Sequence, residues 1–333
     1  MRRREFIALL SGATAAWPLV ARAQQHAKVH RLATVAPTFS IRDMIETGPL
    51  PLFNGLFKQL RQLGYVEGHN LSVDRYSGQG RIESYPELAS EVVRSHPDLI
   101  FIVTGRLARY FQAVTTTIPL VVNTGNPIAF GLVTSLARPG GNLTGVVVDA
   151  GIEIEGKRLQ LLREMVPSVS KVAYLAPRVH LESPYGAQVR EVAQRMGLSL
   201  FGAPLESPIG EPEYRRVFAA LRQHHADVLI VSDAEENFNY RQLVVELAGE
   251  IPAIYAFRAF VEVGGLMAYA VDAADLGRHA AEDIDRIFRG ASPSEIPFWQ
   301  PTKFELLINL KTANALGLTM PPSLLAQADE VIE

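Results

Sequence analysis

The chain has 333 residues, no cysteine, 21 prolines and 25 glycines, and its 32 Lys and Arg against 35 Asp and Glu give a formal charge of −3. With 48% hydrophobic and 20% charged residues it has a globular composition and the length of about two domains. The missing cysteine excludes disulfides, zinc–thiolate and iron–sulfur sites, thiol catalysis and a lipidated bacterial N-terminus; the charge balance gives no footprint for nucleic acid; and beyond residue 25 no apolar run reaches the roughly 18 residues of a membrane span.

Arg2-Arg3-Arg4 precedes an apolar stretch over residues 7–20 that ends in Ala21-Arg22-Ala23 and Gln24. This is the pattern of a cleavable export signal, and Arg3-Arg4-Glu5-Phe6-Ile7 resembles the twin-arginine type, which routes proteins folded before export. Three arginines ahead of the stretch disfavour a buried N-terminal helix, and Gly12, Trp17 and Pro18 disfavour a membrane anchor. Cleavage after Ala23 leaves 28 basic against 34 acidic residues, a charge of −6. The expected compartment is the periplasm, where ATP- and NAD-dependent chemistry is disfavoured by location.

The mature chain alternates short β-branched runs with amphipathic stretches. A strand over 29–36 leads to a helix over 52–63, with apolar residues at 52, 53, 56, 57, 60 and 63 and Gly64 as its C-cap. A strand over 71–76, a helix over 87–94, a continuous apolar strand over 99–103, a helix over 106–114 and strands over 119–123 and 142–148 complete a first set. The second set runs through a helix over 157–165, a strand over 171–176, a helix over 185–196, a strand over 198–202, a helix over 214–223, a buried strand over 228–232, a helix over 241–248, strands over 252–255 and 266–271, and a long helix over 276–289. Such alternation predicts an α/β protein of two doubly wound parallel-sheet lobes, each of about five strands.

Ligands of doubly wound sheets bind beyond the carboxyl ends of the strands, which makes the residues just after each strand the candidates. In the first lobe these are Pro37 and Thr38, Thr104, Gly105 and Arg106, and Asn126; in the second, Arg178, Asp233 and Arg258, with Tyr269 as a candidate aromatic wall. Arg106, at a helix start, suits a carboxylate or is a solvated helix-terminal arginine. Asn126 before Pro127 contacts ligand or shapes a turn. Asp233 suits an ammonium, whereas Glu235 and Glu236 read as first-turn charges favoured by the helix dipole. Lys157 and Arg158 read as solvated. His224-His225 ends a helix with no companion ligands, so no metal is expected. The glycine-rich phosphate-binding fingerprints and the Gly-x-Ser-x-Gly elbow are absent, and no nucleotide or other cofactor is expected.

Several runs resemble the uncharacterised ABC-transporter substrate-binding proteins of bacteria, which have the type I periplasmic-binding fold. They are Gly64-Tyr65-Val66-Glu67-Gly68 with Asn70, Thr115-Thr116-Thr117-Ile118-Pro119, the block from Gly131 to Gly145 containing Ala137-Arg138-Pro139-Gly140-Gly141-Asn142, the Lys157-to-Glu164 run, and a tail from Gln300 to Leu318. The resemblance implies a three-segment hinge. Lobe 1 then takes 29–148 plus about 267–299, and lobe 2 takes 149–266 plus about 300–333. It also implies a monomeric periplasmic solute-binding protein that takes a small organic solute, an amino acid or an aromatic or other carboxylate, and presents it to an ABC permease and its ATPase, with no chemistry performed. Two departures fall on the first-lobe wall: a longer, bulkier loop over 37–48, and Gly105-Arg106-Leu107 where a small residue with Pro or Ala is usual. Two rivals share the architecture. A ligand-sensing module for a receptor has no separating signal in the sequence, and an exported α/β enzyme lacks a histidine directly after a cleft-lining strand.

Overall fold

The computed structural model describes residues 28–148 and 151–333; the export signal read over 1–23 lies outside the described residues. β1 (His30–Ala36), β2 (Leu71–Ser77), β3 (Leu99–Val103), β4 (Leu120–Thr124) and β5 (Leu143–Val147) form a fully parallel sheet in the order β2-β1-β3-β4-β5. β3 and β4 are buried at every position. Alternate side chains point to opposite faces, so Leu99, Phe101 and Val103 pack with α1 (Pro51–Gln62), while Ile100 and Ile102 pack with α2 (Tyr85–Arg94) and α3 (Gly105–Val114). Helices on both faces explain why these strands read as unbroken apolar runs.

The second sheet has seven strands: β6 (Lys171–Pro177), β7 (Ser199–Leu205), β8 (Val228–Val231), β9 (Ala253–Tyr255), β10 (Met267–Ala270), β11 (Glu305–Asn309) and β12 (Glu330–Ile332), in the order β12-β11-β10-β9-β8-β6-β7. Around it run α4 (Ile152–Met165), α5 (Arg178–Leu181), α6 (Pro184–Arg195), α7 (Glu211–Gln223), α8 (Glu235–Asn239), α9 (Arg241–Ala248) and α10 (Arg258–Glu262). The sheet exceeds the expected five strands because the C-terminal tail supplies β11 and β12. It is not wholly parallel either: β11 pairs antiparallel with β10, since the chain re-enters this lobe from the other one.

Three passages join the lobes. The first leaves β5 and enters α4. The second leaves β10 and enters α11 (Ala273–Phe288), whose first turn is capped by Asp272 Oδ1 accepting from the amides of Ala274 and Asp275. The third follows Trp299, which bridges to Val146 on the edge of the first sheet, and leads into β11, α12 (Leu310–Ala315) and α13 (Pro322–Gln327). Because Met267–Ala270 belongs to the second sheet, the return to the first lobe falls after Ala270 rather than near 267. α11 then lies directly on α1. A Cβ on Gly277 would stand 2.0 Å from the Leu52 carbonyl oxygen, and one on Gly55 would stand 2.0 Å from that of Ala274. Only glycine permits this backbone approach, and it fastens residues 273–288 to the N-terminal lobe.

α4 begins at Ile152, five residues before the apolar period predicts, because Glu155 and Arg158 interrupt that period while being buried. Arg158 is not solvated. It is 3% exposed, and it donates to Glu155 Oε1 at 2.9 Å and to the Tyr269 carbonyl at 3.0 Å.

One buried carboxyl belongs to the core and not to any site. Asp283 on α11 is 4% exposed and accepts from the Arg286 guanidinium at 3.4 Å; its Oδ2 has no partner among the described residues. Burial pushes its pKa up from 3.8 to about 7, with Arg286 opposing and Glu282 adding to the rise. The folded state therefore binds this proton more tightly than the unfolded chain. The stability this gives is complete below the ordinary carboxylate range and is lost as pH rises to about 7. Asp283→Asn is expected to raise the thermal midpoint by a few degrees at pH 8 and to change it little at pH 4, as read by calorimetry at the two pH values.

Candidate functional site

The carboxyl ends of the two sheets face each other, and the loops after β1, β3 and β4 meet the segment after β8. Polar contacts and an aromatic contact join the lobes there. Arg106 Nη1 donates to Glu236 Oε1 at 2.6 Å, Tyr85 Oη donates to Glu235 Oε1 at 2.8 Å, and Thr38 Oγ1 donates to Asn239 Oδ1 at 2.8 Å. Phe39 stands edge-on to Phe238 with centroids 5.8 Å apart. All four second-lobe partners lie on α8, a five-residue helix. Asn237 anchors it from within: fully buried, it donates to Leu175 O, Ser232 O and Ser232 Oγ and accepts from Tyr214 Oη. The face bearing Glu235, Glu236 and Asn239 is thereby fixed toward the first lobe.

The first-lobe side is built by backbone geometry. Thr104, directly after β3, has φ 79° and ψ 137°, a left-handed conformation that costs a β-branched residue about 1–3 kcal/mol. Its hydroxyl caps α3 by accepting from Leu107 N at 3.5 Å. A Cβ on Gly105 would fall 2.4 Å from Thr124 Oγ1 and 2.8 Å from the Phe130 ring, and a Cβ on Gly125 would fall 3.1 Å from Asp233 Oδ2. Gly105 lets the β3 tip pack against Thr124 and Phe130, and Gly125 lets the β4 tip approach Asp233.

Charge is concentrated at this contact. Burial works against the Arg106 charge, but Glu236, with Glu235 and Tyr85, outweighs it and raises the arginine's pKa. Burial raises the Glu235 pKa, against the hydrogen bond from Tyr85 and the nearby Arg106. Tyr85 is raised in turn, first by burial and then by Glu235. Behind the cleft, Glu155 Oε1 takes Arg158 and has the Tyr174 and Tyr185 hydroxyls at 3.4 Å. The longer loop over 37–48 walls a groove of about 470 Å³ lined by Thr38, Ser40, Ile41, Ser77, Gln79 and Gly80.

Of the residues singled out in the sequence, Thr38, Thr104, Gly105, Arg106 and Asp233 come together here. Pro37 borders the groove, its carbonyl accepting from Gly80 N at 2.8 Å. The Asn126 side chain accepts from Ile128 N and Ala129 N at 3.0 and 3.1 Å, which shapes the turn. Three others have protein partners of their own. Arg178 is exposed and pairs with Glu206 and Glu182. Arg258 pairs with Glu305 at 2.7 Å and Glu330 at 2.6 Å. Tyr269 stacks on Phe304 at 5.5 Å. Glu235 and Glu236 correct their reading as simple dipole charges, and Tyr85 and Asn239 carried no signal because each meets its partner more than a hundred residues away. Among the described residues no group of three or more His, Asp or Glu is placed to hold a metal, and no helix is long and apolar enough to cross a membrane.

The family model of the ABC transporter substrate binding proteins matches residues 45–332. A tyrosine-binding protein of Clostridioides difficile is 25% identical over 268 residues, covering 79% of this chain and 76% of that one. A conserved domain protein from Vibrio cholerae superimposes with a TM-score of 0.82 at 22% identity, over 91% of this chain and all of the other. The ABC domain of a Streptococcus pneumonia protein in complex with L-Trp gives 0.80 at 22% identity, over 91% and 99%. The chain belongs to the ABC transporter substrate-binding protein family.

The Arg106–Glu236 pair joins the lobes at the cleft at 2.6 Å, against 2.8 Å for the Tyr85–Glu235 and Thr38–Asn239 contacts, and a hydrogen bond to a charged group contributes about 1.5–3 kcal/mol. Glu236→Gln is expected to move the open-to-shut ratio toward open by about tenfold or more, seen as a larger radius of gyration in small-angle scattering. An unchanged radius would remove the pair from the closing contacts.

Proposed function

We propose that this family member is the periplasmic solute-binding component of an ABC importer, taking an amino acid or related aromatic acid between its lobes. The observation that carries the reading is the convergence of opposed strand tips on one contact, with Arg106 reaching Glu236 and Asp233 against Gly125. The ligand class is supported by the relatives: one is named for tyrosine binding and another was solved with L-Trp. Thr38, Thr104, Gly105 and Arg106 form the first-lobe wall, edged by Pro37 and Asn126, and Asp233 forms the second. Arg178 and Arg258 have no part in direct contact, because their carboxylate partners hold them elsewhere, and Tyr269, stacked on Phe304, remains a candidate aromatic wall.

Solute binding stabilises the shut state over the open one by the difference in its affinity for the two. No bond is made or broken, and the solute passes unchanged to a permease driven by an ATPase. The arginines of residues 2–4, the apolar stretch behind them and Ala21-Arg22-Ala23 support export through a twin-arginine-type signal cleaved before Gln24. The exported protein acts as a monomer.

The test is a thermal-shift titration of the purified chain with the amino acids, aromatic acids and sugars. Tyrosine or tryptophan is expected to raise the midpoint with the logarithm of its concentration, reaching about 2.7 kcal/mol of stabilisation at a hundredfold excess over Kd. A response to sugars alone would overturn the ligand class.

A further inference from the structure

The three passages between the lobes are gripped at both ends, by one residue on each side. On the first-lobe side, Trp299 donates its amide to Gly145 O at 2.9 Å and accepts from Val147 N at 2.9 Å. This seats the start of the third passage on β5, the strand that feeds the first. The indole lies on the His279 ring, with centroids 4.0 Å and planes 21° apart, and His279 belongs to α11, which the second passage enters. On the second-lobe side, the Tyr269 carbonyl near the end of β10 accepts from Arg158 Nη2 at 3.0 Å and Nε at 3.3 Å. Arg158 belongs to α4, where the first passage arrives. The Tyr269 ring stacks on Phe304, the last residue of the third passage, at 5.5 Å and 28°. The antiparallel register sets Tyr269 against Leu306, which puts Phe304 on the same face of the sheet as its diagonal neighbour.

Two stacked pairs therefore clasp the second passage to the third, one pair on each lobe. Between them run residues 271–272 and 300–303, where Asp272, Gln300, Thr302 and Lys303 are exposed and only Val271 and Pro301 are buried. Hinge motion is absorbed by a few residues in loops or at the ends of elements, while packed elements move as bodies. Stacked rings have a preferred geometry, so each pair resists the sliding of one passage past the other and leaves the exposed residues between them to bend.

We infer that Trp299 and Tyr269 are the pins of the hinge: positioning residues whose stacks on His279 and Phe304 make the second and third passages turn together, so that shutting bends the backbone at residues 271–272 and 300–303. The inference rests on the solute-binding reading only in taking the passages as a hinge, and its test needs no solute.

The chain has no cysteine, so introduced cysteines alone take nitroxide spin labels. Lys58→Cys on α1 with Gln223→Cys on α7, both at exposed positions, reports the distance between the lobes by pulsed dipolar electron resonance. Lys58→Cys with Glu91→Cys, and Gln160→Cys with Gln223→Cys, report distances within each lobe. In the full purified chain without solute, Trp299→Leu and Phe304→Leu are each expected to raise the fraction of molecules outside the parent interlobe peak about two- to tenfold, the equivalent of one lost ring pair. Both within-lobe distances are expected to stay unchanged. Trp299→Phe and Phe304→Tyr are expected to keep the parent distribution, because a ring remains to stack. An unchanged interlobe distribution in either leucine variant overturns the pin at that end. Equal broadening within a lobe marks the residue as structural and overturns its role, and a conservative variant as broad as its leucine counterpart overturns the part given to the ring. If Trp299→Leu does not fold, His279→Leu opens the same stack from α11 and carries the same expectation. The ligand class is tested separately by the thermal shifts, and its failure leaves the pins standing.

Discussion

Two sheets, one wholly and one mostly parallel, turn their carboxyl ends toward one another here because the chain passes between them three times. A parallel sheet has all its strand tips on one edge, so a lobe presents its loops in one direction only. A single linker would leave that direction free to wander. With passages after β5, after β10 and after Trp299, the relative placement of the lobes is restricted to motion about those segments. The backbone contact of α1 with α11 at Gly55 and Gly277 holds the second passage in place, and the bridge of Trp299 to Val146 holds the third. The cleft is a consequence of this fastening.

What closes the cleft is electrostatically expensive. Arg106, Glu235 and Glu236 leave water together when the tips meet, and the ion pair must offset the desolvation of both partners. The arrangement manages this with few donors: one guanidinium, one phenol and one threonine hydroxyl reach across. Among the described residues, it leaves the second oxygen of Glu236 without a partner. A solute bound between the lobes shifts the balance toward the shut state by its differential affinity for the two. The strained Thr104 at the β3 tip fits the same picture, since backbone strain at a loop persists where the surroundings impose it.

Much of the architecture was legible because burial on both faces of a parallel strand leaves an unmistakable mark. The apolar runs at 99–103 and 228–231 gave their strands directly, and the rule that ligands gather beyond strand ends selected Thr38, Thr104, Gly105, Arg106 and Asp233 from residue order alone. Other positions resisted for identifiable reasons. Glu155 and Arg158 satisfy each other inside α4, and a buried ion pair reads as surface in a hydrophobicity pattern. Arg178 and Arg258 follow strands just as Arg106 does, and nothing local distinguishes an arginine facing a cleft from one that meets Glu206 or Glu305 outside it. Tyr85 and Asn239 sit within helices, where strand-end logic has no reach.

The sequence by itself determined the two wound lobes, the family they belong to and the loops from which a site had to be drawn, since these follow from local period and from runs of residues that carry their signal wherever they are read. The tertiary structure alone decided which of those loops touch. Arg106 and Glu236 are 130 residues apart, and their meeting depends on the summed geometry of two sheets and three passages, which no segment of the chain contains.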